Sequence, residues 1–229
     1  MATYDLEEQE QIAELKAWWK QYGNLVTGLI TAAAIAVAAW QGWNWYQRSR
    51  SAQASAIYGV LQAALRENDG QRIRTASGEL IEKFGSTAYA SLGALSAAKS
   101  LHDSGDARTA RLQLAWVVEH GKDELRDIAR LRLVALLIDE KAYDEALKQI
   151  EAAPGAAFQA RFDDARGDIL AAQGKTSEAR EAYRSALARL ETSDKGSAGK
   201  GQSSPRDPQA NAAYREVLQL KLEALGEAG

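Results

Sequence analysis

Hydrophobic and polar positions change rhythm twice along this chain. Between Lys20 and Arg48 no side chain carries a charge, and Leu25 to Trp40 reads Leu-Val-Thr-Gly-Leu-Ile-Thr-Ala-Ala-Ala-Ile-Ala-Val-Ala-Ala-Trp. About 20 residues rising ~1.5 Å each cross ~30 Å of hydrocarbon, so the run has the length of a membrane span. Trp18, Trp19 and Tyr22 stand before it, and Trp40, Trp43, Trp45 and Tyr46 after it. Amphipathic rings settle at headgroup level, which makes these the candidate membrane-interface residues. A buried core helix gives no reason for paired belts. A cleaved signal peptide needs a basic head and a shorter apolar run. Here the head carries Asp5, Glu7, Glu8, Glu10 and Glu14, so the reading is an uncleaved anchor at residues 23–46, even though Ala36-Val37-Ala38 imitates a cleavage site. Gly28, Ala32 and Ala36 fall four apart and set small residues on one face, a spacing that arises easily in so alanine-rich a helix.

Residues 1–22 form an acidic tail in which Ile12, Leu15 and Trp19 share a face, read as a solvated lead-in. Past Tyr46 no breaker appears before Asn68-Asp69-Gly70, and Ile57, Leu61, Ala64 and Leu65 keep an apolar stripe, so the anchor helix is expected to continue beyond the span. From there the rhythm is helical, interrupted by short turns. It predicts helices near 72–84, 88–103, 107–119, 124–139, 143–152, 158–173, 177–191 and 208–225. Leu112 to Val118 alternates like a strand, but a lone strand has no partner and helix is preferred. Residues 192–208, rich in Gly, Ser and Lys, read as a flexible linker. Beyond it, residues 209–229 carry a stripe of Tyr214, Val217, Leu218, Lys221, Leu222 and Leu225 suited to capping an open helical array.

Self-comparison organises the middle of the chain. Gly167, Leu170, Gly174, Ala179, Tyr183 and Ala186 are separated by 3, 4, 5, 4 and 3 residues, the spacing of a tetratricopeptide helix-turn-helix. Leu137, Lys141, Tyr143, Ala146 and Ile150 repeat the frame 33 residues earlier, and Leu101, Gly105, Ala110 and Leu114 repeat it a further 36 back. The segment from Ile57 to Phe84 reads as a degenerate copy. The expected fold is all-α: an N-terminal transmembrane helix followed by a tetratricopeptide-like helical solenoid at residues 47–191. An irregular alanine-rich bundle shares many of the same helices and remains the alternative.

Composition narrows function by exclusion. A net charge of −3 without a basic stripe argues against nucleic acid as a partner. The chain has no cysteine, hence no thiolate nucleophile or thiolate metal site. His102 and His120 lie outside any two-histidine metal spacing. Gly174-Lys175-Thr176 looks like the end of a phosphate loop, but Ile169 occupies the earlier glycine position. Catalysis, cofactor and metal are therefore not expected. Charge does not orient the anchor: Lys16 and Lys20 precede it, and Arg48 and Arg50 follow it.

The acidic tail leading to Leu15-Lys16-Ala17-Trp18-Trp19, the span ending Trp40-Gln41-Gly42-Trp43-Asn44-Trp45-Tyr46, the repeats and the last helix around Leu218-Gln219-Leu220-Lys221 together resemble the YfgM-like family of bacterial inner-membrane tetratricopeptide proteins. The resemblance implies an ancillary subunit of the SecYEG translocon with a cytoplasmic N-terminus and a periplasmic repeat domain. It also implies association with a membrane-anchored periplasmic chaperone of the parvulin type and a role in helping exported client proteins. The linker at 192–208 departs from the family pattern. The competing reading is an envelope scaffold that organises division or wall synthesis.

In a tetratricopeptide solenoid the first helix of each repeat lines a concave surface. The inward positions expected here are Leu92, Leu95, Lys99, His102 and Asp103, then Ile128, Leu131, Ala135, Ile138 and Asp139, then Arg161, Asp164 and Asp168. Such a mixed groove suits peptide segments of a partner or client. The leucines among them serve equally well as packing between repeats.

Overall fold

The computed structural model describes residues 4–198 and 208–227. Its helices are α1 (Tyr4–Glu67), α2 (Gly70–Phe84), α3 (Ala88–Asp103), α4 (Ala107–His120), α5 (Asp123–Asp139), α6 (Tyr143–Gln149), α7 (Gln159–Ala172), α8 (Thr176–Ala198) and α9 (Pro208–Glu227). A single 3-10 turn, Ala156–Phe158, precedes α7. No strand occurs among the described residues, and Leu112 to Val118 lies within α4. The chain divides into two units, residues 1–53 and 54–229.

In the first unit, Leu25, Leu29, Ile30 and Ile35 are each more than 60 % exposed on different sides of α1, and so are Trp40, Trp43 and Trp45. A core helix of a water-soluble domain would be mostly covered, whereas 6 % of this apolar window is buried. Oily surface on every side of one helix is consistent with a hydrocarbon solvent and a membrane anchor. From Trp19 to Trp40 the helix climbs about 30 Å, the thickness of that hydrocarbon. Within the belts Trp18 lies 5.9 Å from Tyr22 and Trp43 lies 6.2 Å from Tyr46, ring centre to ring centre.

In the second unit the helices pair with their neighbours in sequence. Ala54, Leu61 and Ala64 at the end of α1 are buried, and the Tyr58 ring meets Tyr89 of α3 at 5.6 Å. Helices α3, α5 and α7 touch in succession, with α4, α6 and α8 packed behind them. Asp69 starts α2 by accepting the amide N–H groups of Gln71 and Arg72 at 3.1 and 3.0 Å. Asp106 likewise starts α4 by accepting from Thr109. Both satisfy orphan amides at a helix N-terminus.

The three turns inside the repeats close identically. Gly105, Lys141 and Gly174 have φ of 88°, 58° and 76°. The next amide in each donates back to the carbonyl of Leu101, Leu137 or Leu170, at 2.8, 2.8 and 2.9 Å. This left-handed closure satisfies the last carbonyls of the helix and turns the chain for the return helix. Helix pairing then depends on small residues. A Cβ on Gly167 would lie 2.3 Å from the Tyr183 ring, and Tyr183 is buried with its hydroxyl bonded to Asp168. Elsewhere alanines carry the close approach: Ala90, Ala94, Ala110, Ala129, Ala146, Ala179 and Ala186 are all fully buried.

Two boundaries differ from the sequence reading. Helix α6 stops at Gln149 rather than near 152, with Ile150 leaving helical geometry at φ −108°, and Pro154 bars the chain from resuming the helix at Ala153. The loop that follows is held by the Gly155 amide donating 2.8 Å to the buried Asp127 carboxylate. Helix α8 continues to Ala198, into the stretch read as a linker, and residues 199–207 lie outside the described residues.

Two substitutions test this packing. Gly167→Ala lowers stability by about 1–3 kcal/mol, since the pinned Tyr183 ring cannot yield and the clash outweighs alanine's better helix propensity. Lys141→Gly raises stability by about 0.5 kcal/mol by relieving a side chain in the left-handed region. Thermal melts followed by circular dichroism measure both, and opposite signs are expected.

Candidate functional site

Helices α3, α5 and α7, which touch in succession, carry the expected groove residues, and these fall into three groups. On α3, Lys99 and Asp103 line a concave pocket of about 620 Å³ together with Ser96, Ser100 and Arg132, next to the end of α1 at Leu65. Lys99 donates to Asp103 at 2.8 Å, and this bond holds the Asp103 carboxyl below the usual carboxylate range. Arg132, from α5, reaches across to donate to the Leu95 carbonyl at 2.9 Å. The pocket therefore presents hydroxyls and charges over an apolar floor, a surface suited to a peptide's backbone and polar side chains.

Other expected residues separate from this pocket. Leu95 is 5 % exposed and packs inside the core, so it offers nothing to a ligand. Leu92 is exposed at 37 %. Ile128, Leu131 and Ile138 are half-buried against the core, while Ala135 and Asp139 are exposed on α5. His102 Nε2 stands 3.9 Å from Asp139 Oδ2, so the two exposed side chains bridge α3 and α5.

Arg161, Asp164 and Asp168 on α7 are already engaged by α9. Tyr214 donates its hydroxyl to Asp164 at 2.8 Å, and its ring lies under the Arg161 guanidinium at 4.9 Å. Lys221 Nζ sits between the two carboxylates, 2.7 Å from Asp164 and 2.6 Å from Asp168. Tyr183 of α8 also donates to Asp168, at 2.8 Å. Leu218 is buried, with Leu222 and Leu225 packed beside it, whereas Val217 of the expected stripe is exposed. Arg180 of α8 donates to the Leu225 carbonyl at 2.8 Å and so caps the end of α9.

Sequence reasoning placed Tyr214 and Lys221 on a capping stripe without seeing that their polar atoms meet Asp164 and Asp168. The available signal was a lysine inside an apolar stripe, which demands a buried counter-charge. Ser96, Ser100 and Arg132 gave no comparable signal. Among the described residues no group of three His, Asp or Glu side chains could hold a metal ion.

Burial pushes the Tyr183 and Tyr214 phenols up from their ordinary value of 10.0, and Asp168 and Asp164 respectively reinforce the shift. Burial alone would lower Lys221, but its bonds to Asp164 and Asp168 outweigh that and leave it above 10.5. Folding thus favours the protonated form of all three groups. Their contribution is complete below about pH 10 and fades as alkali removes those protons, first against the unfolded chain and finally in the folded one. Phenolate absorbance of the wild type minus Tyr183→Phe/Tyr214→Phe is expected to rise well above pH 10, with α9 contacts insensitive to pH between 7 and 9. Ionisation of both rings at their ordinary value would contradict the seating described.

The sequence profile of a tetratricopeptide repeat-like domain matches residues 16–227. A relative from Neisseria gonorrhoeae named ancillary SecYEG translocon subunit is 28 % identical over 225 residues, covering 96 % of this chain and 98 % of its own. Relatives of the same name from Haemophilus influenzae and Escherichia coli are 29 % and 28 % identical, over 80 % and 77 % of this chain and 90 % and 85 % of theirs. With the profile spanning the apolar helix and the repeats alike, the chain belongs to the tetratricopeptide repeat-like family, and its likeness to the YfgM-like ancillary translocon subunits holds along most of its length.

Proposed function

We propose that this chain is a non-catalytic adaptor that assists Sec-dependent protein export from the bacterial inner membrane. Residues 1–22 lie in the cytoplasm, 23–46 span the membrane, and the repeats at 47–191, with the connection at 192–208 and the cap at 209–229, stand in the periplasm. The observation that carries this reading is end-to-end similarity to the Neisseria relative named as a translocon subunit, since a shared repeat domain alone would say little about partners. The paired aromatic belts support the anchor, and the mixed inner face supports peptide recognition.

The mechanism is local concentration. A tether that holds a weak peptide-binding face beside a channel makes capture effectively intramolecular, so modest affinity suffices. The partners in this reading are SecYEG, a membrane-anchored parvulin-type periplasmic chaperone and exported clients. The lipid bilayer holds the anchor.

Photo-crosslinkers at Lys99, His102 and Asp139 in growing cells are expected to yield adducts with translocon subunits, the chaperone and nascent exported chains. A crosslinker on the exposed outer position Leu112 serves as the control. Carbonate-washed membranes should retain the chain, and protease should reach the repeats in spheroplasts. Stable adducts only with division or wall-building proteins, or repeats accessible only after the cytosol is opened, would refute the proposal.

A further inference from the structure

Helix α9 is held differently from every helix before it. The apolar core divides into two clusters: one runs from Ala54 to Ile169, and the other gathers Ala160 and Leu170 of α7 with parts of α8 and α9. Among its described residues α9 contributes one fully buried side chain, Leu218. Half-buried Leu222, Leu225 and the Tyr214 ring pack beside it, and polar bonds complete the hold: Tyr214 and Lys221 on Asp164 and Asp168, and the Arg180 cap. A half-buried ion pair adds little net stability over apolar packing, yet it selects what sits there, because a helix without the lysine takes away the ammonium that Asp164 and Asp168 share. Seats that are small and separate open at lower cost than the continuous core.

We propose that the α7–α8 face beneath α9 is a helix-docking site, with α9 as its resident occupant, and that a partner's amphipathic helix presenting a lysine two turns after a tyrosine competes for it. This deepens the adaptor reading and rests on it, by naming the chemistry that the end of the inner face recognises. The site's charge complements such a helix: Asp164 and Asp168 accept one ammonium between them, the Tyr183 ring stands 5.4 Å from that ammonium, and Arg161 covers the tyrosine. Residues 199–207 tie α9 to α8, so the resident helix competes at high effective concentration, and an outside helix gains access only when its affinity or its own tethering is comparable.

The test uses the full-length chain in lipid nanodiscs and a fluorescent peptide of residues 208–227 as the probe, read by anisotropy. In Lys221→Glu the resident helix repels its own seat, and the peptide is expected to bind this chain about tenfold or more tightly than wild type. Adding Asp164→Asn and Asp168→Asn should remove that gain, and a peptide carrying Lys221→Glu should not bind. Hydrogen exchange of α3 and α5 amides is read alongside, so that loss of binding through unfolding is recognised and the milder Lys221→Gln chain is used in its place. Equal affinity for the wild-type and Lys221→Glu chains would overturn the proposal. So would a wild-type dimer that the two asparagine substitutions dissolve, because the occupant would then be a second copy. Translocon crosslinks from Lys99 and Asp139 are independent of this titration, so each reading can fail without the other.

Discussion

The repeat domain depends on backbones approaching closely where one helix offers no side chain and the next offers a large one. Gly167 against Tyr183 is the clearest case, since the ring occupies the space where a Cβ would stand. The alanines at 90, 94, 110, 129, 146, 179 and 186 do the same at lower resolution of shape, each fully buried between helices. Interiors packed at crystal-like density have no room to absorb an added methyl group, so these positions set the interhelical spacing. Once that spacing is fixed, the left-handed turns at Gly105, Lys141 and Gly174 aim each return helix the same way, and stacking accumulates into a solenoid. The regularity is cumulative, because a shift in one repeat displaces every side chain beyond it.

The same rule explains what could be read from the chain beforehand. Gly174, Lys141 and Gly105 were aligned by spacing, and the backbone treats them alike even though one is a lysine, because the turn's hydrogen bonds outweigh the strain of one side chain at positive φ. Helices α3 and α5 lie within a residue of their expected ends because Gly85, Gly105, Asp106 and Gly121 punctuate three of their four turns, and the repeat spacing places the fourth at Lys141. The early end of α6 leaves no local signal, because Ile150, Glu151 and Ala152 carry no helix breaker and Pro154 lies beyond them. On the inner face, helical periodicity gave the side each residue faces but not the distance to the next helix. Leu95 and Lys99 share a helical face one turn apart, yet the first is sealed between helices and the second lines the pocket. Arg132 was invisible for the complementary reason: its guanidinium crosses to another helix, and no local pattern encodes a reach of that kind.

Helix α1 carries two solvents' worth of sequence in one unbroken element. Its early part exposes leucine, isoleucine and tryptophan on all sides, while from Ala54 onward alanine and leucine face one packed side. No glycine-proline hinge or turn separates the two stretches. Helical hydrogen bonding is the one pattern that satisfies every backbone group in lipid and in water alike, so a continuous helix crosses from one solvent to the other without an orphaned amide.

The polar seat of α9 runs against the logic of the rest of the array. If closing the open end were the only task, apolar residues at 164, 168 and 221 would seal it at least as well, because two carboxylates and an ammonium must shed water before they pair. Shape alone would then decide which helix fits, and the alanine-rich helices of this same chain would be credible competitors. Lysine between Asp164 and Asp168, with tyrosine hydroxyls at both carboxylates, reduces that ambiguity: a helix lacking the charge covers the acids in part without supplying the ammonium they share. The arrangement gives up some stability for discrimination, and discrimination has value at a site only where more than one helix can arrive.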